Sequence, residues 1–443
     1  MKLPKHILKA LQKLNGSGFE AFVVGGSVRD MIMGKTPADY DIATNALPQQ
    51  TAECFKNYKV IETGIKHGTV TVLIDGENIE ITTYRVDGNY IDNRHPENVS
   101  FTASIQEDLA RRDFTMNAIA YSPEKGFVDP LGGKSDIKNG IIRCVGEPDK
   151  RFSEDGLRIL RALRFASQTG FDIDGDTARS IIKNKNLIKN LSAERVFSEL
   201  KKLLCGDLAH KVIKDYKQVV EVFIPEIIPM VGFEQNTKYH HLSVFDHTLE
   251  ALKNSEKNEV IRLAVFLHDI GKPAAFYADA DGTAHFKGHA GIGAEMAKTI
   301  LKRLKSDNDT LETVCEIIRL HSIKLLTDTE IKMFVSEHGF ELTRLLLKMK
   351  KADASAKAPE YRNPPEISGA KQLIDEIEKS SKPLFLKDIS INGNDLINLG
   401  ISGKKVGEIL HNLLRLVILE EIENSREALI NKAEDFLENE KER

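Results

Sequence analysis

Residues 19–44 read FEAFVVGGSVRDMIMGKTPADYDIAT, and three features in this stretch set the reading of the fold. The apolar run Phe22-Val23-Val24 predicts a short buried strand. Gly25-Gly26-Ser27-Val28-Arg29-Asp30 follows directly. Two glycines let backbone N–H groups approach an anion, a helix N-terminus favours negative charge, and Arg29 adds a fork of donors. Taken alone, a Gly pair before a helix is as well explained by a tight turn. Asp39-Tyr40-Asp41 completes the stretch. In a strand, i and i+2 share a face, so both carboxylates project side by side. Such a pair repels unless a cation sits between the two. A hard divalent ion with oxygen ligands resolves this, and Mg²⁺ suits it because it shares its shell with phosphates. The plainer alternative is a solvated loop with two acids. Glu80, between Ile79 and Ile81, belongs on the polar face of a sheet, where it either completes a metal site or faces water.

Outward from this stretch, residues 1–147 alternate strand and helix signals. LPKHILKALQKL (3–14) is an amphipathic helix, and TVTVLIDGENIEITTYRV (69–86) reads as a hairpin turning at Asp75-Gly76-Glu77-Asn78. From Lys150 onward strand signals nearly vanish and apolar residues recur at helical spacing. The expected division is a head over 1–147, a helical neck over 148–230, a body over 231–360 and a helical tail over 361–443. Asp155, Arg158, Arg161 and Arg164 recur every three residues, drifting along one side of a helix beside Leu157, Leu160 and Leu163. A salt-bridged polar face would explain them without any ligand.

The 443 residues are about three times a typical domain of ~150. At 41% hydrophobic and 29% charged, the composition excludes collagen-like, mucin-like and wholly disordered chains. Sixty-two basic and sixty-six acidic side chains leave a formal charge of −4, so there is no uniformly basic coat. A local basic groove is still allowed, and residues 151–205 hold eleven Lys or Arg against seven Asp or Glu. Cys54, Cys144, Cys205 and Cys315 are too few and scattered for a disulfide framework. With no apolar run of the ~18–20 residues that span a bilayer, and no signal-peptide core, a cytoplasmic protein without a membrane partner is expected.

The ordered set GGSVRD, DYDIAT after eight residues, Lys66-His67-Gly68-Thr69, Arg111-Arg112-Asp113-Phe114-Thr115-Met116-Asn117-Ala118, Arg151 to Arg158, and Ala193-Glu194-Arg195 resembles the class II tRNA nucleotidyltransferases. That group includes CCA-adding enzymes and bacterial poly(A) polymerases. The resemblance implies an α+β fold: a polymerase β-like head with a mixed sheet, then an elongated all-helical neck, body and tail. It implies that Asp39 and Asp41 are catalytic and hold Mg²⁺. Gly26, Ser27 and Arg29 would take the triphosphate, and Arg112 and Asp113 would meet phosphate and ribose. Asp155 and Arg158 would read the base, admitting C and A, with Arg161 and Arg164 nearer the phosphates. Guanine O6 and uracil O4 would face the Asp155 carboxylate as acceptors, a mismatch worth ~1–3 kcal/mol. Tyr84-Arg85 through Asn89–Pro96 resembles the flexible loop of members that add the terminal A. Asp129-Pro130-Leu131-Gly132-Gly133 resembles their hinge.

His247, His268-Asp269, His289, His321 and Asp353 lie in helical segments and could converge inside a bundle. Their order is similar to the HD domain of metal-dependent phosphohydrolases. The resemblance implies His247, His268, Asp269 and Asp353 as metal ligands, with His289 and His321 as further ligands or phosphate contacts. Imidazole with carboxylate suits Mn, Fe, Ni or Zn better than Mg. Whether that domain hydrolyses phosphoesters or serves only as structure stays open. The expected function is untemplated addition of C, C and A from CTP and ATP to tRNA, with no DNA partner. Addition of A alone, or poly(A) synthesis, is the alternative.

Overall fold

The computed structural model describes residues 2–65, 68–88, 99–325, 327–362, 365–380 and 382–441. Two compact units emerge: Met1–Glu226 with Arg303–Lys305, and Ile227–Lys302 with Ser306–Arg443.

The first unit opens with helix α1 (Lys5–Gly16), which buries Ile7, Ala10, Leu11 and Leu14, the spacing of one helix face. Strands β1 (Ala21–Val24), β2 (Asp41–Thr44), β3 (Lys59–Ile61), β4 (Thr69–Ile74) and β5 (Glu77–Thr83) follow, with helices α2 (Gly26–Ile32) and α3 (Pro48–Cys54) between them. The short strands β6 (Arg85–Asp87) and β7 (Val99–Phe101) pair with each other. Beyond helix α4 (Ile105–Ala110), strands β8 (Ala120–Ser122) and β9 (Gly126–Val128) complete a seven-stranded sheet in the order β3-β4-β5-β2-β1-β8-β9. Only the β2–β5 pairing is parallel, which makes the sheet mixed. The β4–β5 hairpin turns in two residues, not four. Asp75 (φ 54°) and Gly76 (φ 88°) both hold the positive φ that a type I′ turn needs. Beneath the sheet, Phe22, Val24, Ala43, Tyr84, Ile105 and Leu109 form one buried cluster.

Helix α5 (Gly133–Asn139) begins where Asp129 accepts the N–H groups of Gly133 (2.7 Å) and Lys134 (2.9 Å), so the expected hinge segment starts a carboxylate-capped helix. Helices α6 (Pro148–Glu154), α7 (Leu157–Thr169), α8 (Gly175–Asn184) and α9 (Ala193–Leu204) lead on, with the two-residue strands β10 (Ile141–Ile142) and β11 (Asp172–Ile173) beside them. The shorter helices α10 (Ala209–Asp215) and α11 (Lys217–Val220) end this unit's helical part.

The second unit is helical. It contains α12 (Val244–Asn254), α13 (Glu259–Leu267), α14 (Lys272–Ala275), α15 (His289–Arg303), α16 (Asn308–Leu320) and α17 (Asp328–Ser355). Among the described residues its only sheet is the pair β12 (Tyr277–Ala278) and β13 (Ala284–His285). The chain then runs through α18 (Pro365–Lys379), α19 (Gly393–Asn398), α20 (Lys404–Ile418) and α21 (Arg426–Lys441). Gly400 and Gly403, both at positive φ, form the turn between α19 and α20, whereas Gly407 lies inside α20. No described helix is long and apolar enough to cross a membrane.

Candidate active site and metal centre

The first constellation gathers where β1 ends. Gly25 takes φ 74°, and a Cβ there would stand 3.0 Å from Arg112 Nη1. Gly26 begins α2, and Ser27 turns its hydroxyl inward, donating to Val24 O at 3.0 Å. Asp41 opens β2 opposite Val24 on one side and Glu80 on the other. Asp39 precedes the strand in irregular backbone, so strand alternation applies to Asp41 alone and not to the pair. Asp39, Asp41 and Glu80 are all solvent-facing, yet protein crowds the Asp41 carboxyl. That desolvation, then the charges of Asp39 and Glu80, pushes its pKa up against the pull of Arg112. Like charges gathered around one oxygen-rich spot are what a hard cation relieves. Lys66-His67 and Asn89–Pro96 lie outside the described residues.

Arg112 is held at one end only. Its Nη2 donates to the buried Asp108 at 3.2 Å, while its Nε is buried with no acceptor among the described residues. Asp108 also accepts from Arg111 at 2.8 Å. Burial alone would raise the Asp108 pKa, but the two arginines lower it. Asp113 is tied more tightly. Its Oδ1 accepts from Phe114 N (2.8 Å) and Asn117 Nδ2 (3.1 Å), and its Oδ2 from Arg161 Nε (2.7 Å). Burial would raise this carboxyl, yet Arg161 and the hydrogen bonds hold it at about 2. Asn117 Oδ1 in turn accepts from Arg29 Nη1 at 2.8 Å. The Phe165 ring lies among three guanidiniums, those of Arg164 at 4.2 Å, Arg29 at 5.0 Å and Arg161 at 5.3 Å. Arg164 Nε also stands 3.2 Å from Glu199.

The structure corrects the expected stripe of four. Arg158, Arg161 and Arg164 lie on α7, but Asp155 has extended backbone (φ −145°, ψ 105°) at the end of α6. Its Oδ1 accepts Leu157 N at 3.0 Å, a local bond that starts a helix instead of continuing one. Its Oδ2 accepts from Arg195 Nη2 at 2.9 Å. Arg158 is buried and donates to Glu154 (2.6 Å), Arg151 O (3.1 Å) and Arg111 O (3.3 Å). Sequence reasoning gave no role to Asp108, Asn117, Glu154, Phe165, Arg195 or Glu199. Arg195 carried a signal, since Ala193-Glu194-Arg195 belonged to the motif set. Phe165 carried none, because an aromatic at helical spacing reads as core.

The second constellation lies inside the helical unit. His247 projects from α12, His268-Asp269 end α13, His289 begins α15, His321 caps α16, and Asp353 lies in the last turn of α17. Ligand atoms of His247, His268 and Asp353 fall within 4.8 Å of one another, as do those of Asp269, His289 and His321. His247 Nε2 is 2.9 Å from Asp353 Oδ1, His268 Nε2 is 3.1 Å from Asp269 Oδ2, and the Nε2 atoms of His289 and His321 are 3.1 Å apart. The other ring nitrogens are anchored on backbone carbonyls: His268 Nδ1 on Val265 O (2.7 Å), His289 Nδ1 on Phe286 O (2.7 Å), His321 Nδ1 on Ile318 O (2.6 Å). This turns every Nε2 toward the cluster. Gly271 makes the approach possible, since a Cβ there would meet His289 O at 2.4 Å.

Neither oxygen of the buried Asp269, nor His268 Nε2, completes a hydrogen bond of good geometry, although Lys272 Nζ stands 2.7 Å from Asp269. Buried ligand atoms left in this state, on a donor set of imidazoles and carboxylates, fit a divalent metal. Burial would lower His268, but Asp269 and Asp353 raise it to about 9; burial takes His321 down to about 3. The sequence missed His240, whose ring packs 4.8 Å from His247, and Lys357, 2.9 Å from Asp353. It also missed Lys272, which a turn between two helices, not one helix face, brings to Asp269.

Residues 21–143 match the family model of the poly A polymerase head domain, 170–229 that of the probable RNA and SrmB-binding site of polymerase A, and 237–358 that of the HD domain. The CCA-adding enzyme of Ligilactobacillus salivarius is 33% identical over 437 residues, which cover 98% of this chain and 97% of that enzyme. The chain belongs to the CCA-adding enzyme family. The family's member from Geobacillus thermodenitrificans is 48% identical over 214 residues, where the matched part spans about half of either chain (48% and 52%). Among solved structures, the Bacillus stearothermophilus CCA-adding enzyme in complex with CTP matches with a TM-score of 0.76 at 29% identity, covering 100% of both chains.

Proposed function

We propose that this protein adds C, C and A to tRNA 3′ ends, taking CTP and ATP without a nucleic-acid template. Similarity to CCA-adding enzymes along nearly the whole chain supports this over addition of A alone or poly(A) synthesis. The observation that carries it in the site is the placing of Asp41 beside Glu80 and facing Arg112, at the turn where Gly25 leaves β1. Asp39 and Asp41, with Glu80 alongside, would hold Mg²⁺, which when bound neutralises triphosphate charge and acidifies the attacking RNA 3′-hydroxyl. The Gly25-Gly26 turn keeps side-chain bulk out of the phosphate path. Arg29 and Arg112 supply fork donors to the triphosphate. Asp113 accepts from the ribose hydroxyls and passes its orientation through Asn117 to Arg29. Asp155, fixed by Arg195, accepts from the exocyclic amine of C or A, and Arg158, steadied by Glu154, donates to the ring edge. Arg161 and Arg164 stand toward the phosphates.

The family-model boundaries support our division into a head to 147, a neck to 230 and an HD body to 360, which leaves a helical tail over 361–443. His247, His268, Asp269 and Asp353, joined by His289 and His321, would hold a divalent metal of the Mn, Fe, Ni or Zn type. Such a metal would supply the HD body with the Lewis acidity that phosphoester hydrolysis needs. Its ligands and those of the head tolerate a reducing cytoplasm, where we place the protein. The test of the head is direct: Asp41→Ala should reduce incorporation of labelled CTP and ATP at least a thousandfold while tRNA binding and thermal unfolding stay unchanged. Retained incorporation would remove Asp41 from the reaction.

A further inference from the structure

The short helix α4 ends where three arginines converge. Arg151 Nη2 donates to Ala110 O at 2.5 Å and Arg158 Nη2 to Arg111 O at 3.3 Å, so guanidiniums meet the carbonyls of a helix end. Arg112 follows the last turn and reaches back to the same helix through a side chain, that of Asp108, at 3.2 Å.

Asp108 is 1% exposed, on the same helix as Ile105 and Leu109 of the apolar cluster beneath the sheet. A carboxylate in such a place is costly unless its lone pairs are met. Its Oδ1 accepts from Arg111 Nε (3.0 Å), from Arg111 Nη2 (2.8 Å) and from the backbone N–H of Arg85 in β6 (3.3 Å). With Oδ1 tied to two segments, Oδ2 keeps one direction, and that is where Arg112 Nη2 donates. Among the described residues, Asp108 is the one acceptor that the Arg112 guanidinium meets. Arg112 Nη1 is thereby left against the Gly25 turn, 3.0 Å from where a Cβ on that glycine would stand.

We propose that Asp108 is a positioning residue for nucleotide addition: it aims the Arg112 guanidinium at the Gly25-Gly26 turn, and Arg111 braces the carboxylate that does so. Asp108 itself is too deeply buried to meet the nucleotide. The proposal rests on the reading of Arg112 as a triphosphate contact and names what holds it in place. A free arginine gives up side-chain entropy when it grips a phosphate. One already held by a buried carboxylate has lost that entropy on folding, so the nucleotide binds to a preformed donor.

The test is steady-state incorporation of CTP and ATP into tRNA by the full-length protein as wild type, Asp108→Asn, Arg112→Met and the double variant. Thermal unfolding is followed on the same samples. Arg112→Met should raise KM for both nucleotides about a hundredfold, and Asp108→Asn about tenfold with kcat within about twofold, as hydrogen bonds between charged groups supply. In the double variant Asp108→Asn should add nothing to Arg112→Met, because it acts through that side chain alone. The choice of C and A over G and U should stay at the wild-type level in Asp108→Asn. A merely structural loosening of α4 would move that choice, since Arg158 is bonded to the same helix end. An unchanged KM in Asp108→Asn, losses that multiply in the double variant, or base choice that falls together with KM overturns the proposal. If Asp108→Asn does not fold, Arg111→Met replaces it. Releasing Oδ1 should raise KM about threefold, and only where Arg112 is present; the same factor in the Arg112→Met background overturns the proposal. An unchanged KM in Arg112→Met overturns the reading of Arg112 instead, so the two failures are separable.

Discussion

Asp155 and Arg195 show how little freedom the residue we propose as the base selector is given. One Asp155 oxygen accepts a backbone N–H and the other a guanidinium, so the carboxylate cannot rotate away from a base presented to it. Asp155→Ala should therefore relax the choice of C and A over G and U more than it weakens triphosphate binding. Arg195→Met should show the same loss in milder form, about tenfold in misincorporation, because it frees the carboxylate without removing it. Unchanged base choice in either variant would contradict the role. Asp113 makes a prediction about pH. Its folded pKa of about 2 lies below the model-peptide value, so its stabilising contribution is full above about pH 4 and disappears as pH falls through about 2. The contribution is on the order of 2 kcal/mol. Denaturant unfolding of wild type and Asp113→Asn should differ by roughly that amount at pH 6 and converge near pH 2. A constant gap would mean that the carboxylate is not ion-paired.

At the scale of elements, the sequence was readable where one periodicity ruled. Alternation placed Ile79 and Ile81 inside and Glu80 outside, and the turn chemistry of Asp75-Gly76 placed the hairpin. It failed where local hydrogen bonding overrode periodicity. A three-residue spacing put Asp155 on the helix with Arg158, but its side chain bonds to Leu157 N and breaks the helix first. Asp39 likewise stands before β2, in irregular backbone outside the pleat. Arg195 and Asn117 stood in the quoted motifs, but no local pattern encodes which distant residue each one meets. Helix α7 carries a prediction of its own. Phe165 lies among three like charges, and Phe165→Leu should raise KM for CTP and ATP about fivefold with kcat nearly unchanged, while Phe165→Tyr behaves as wild type. A fall in kcat alone would place the ring outside triphosphate binding. In the helical unit, Gly271→Ala forces His289 O away from a contact of 2.4 Å. It should destabilise that unit by about 1–3 kcal/mol and lower its bound metal, measured by denaturant unfolding and metal analysis.

At the scale of the whole molecule, two clusters of ligand-type side chains share one chain. An oxygen-rich carboxylate site lies at the end of a mixed sheet, and an imidazole-rich site lies inside a helical bundle. Each is assembled from residues of its own unit, so damage to one need not reach the other. His268→Ala should empty the bundle of metal while the head still extends tRNA. The central claim is the completeness of CCA addition. It is tested most directly by incorporation of labelled CTP and ATP, separately and together, into tRNA transcripts ending before CCA, after C and after CC. The account predicts C on the first two, A on the third, and a stop at CCA when both nucleotides are present. Activity confined to ATP on the CC-ended transcript, or an A tail that never stops, would contradict it.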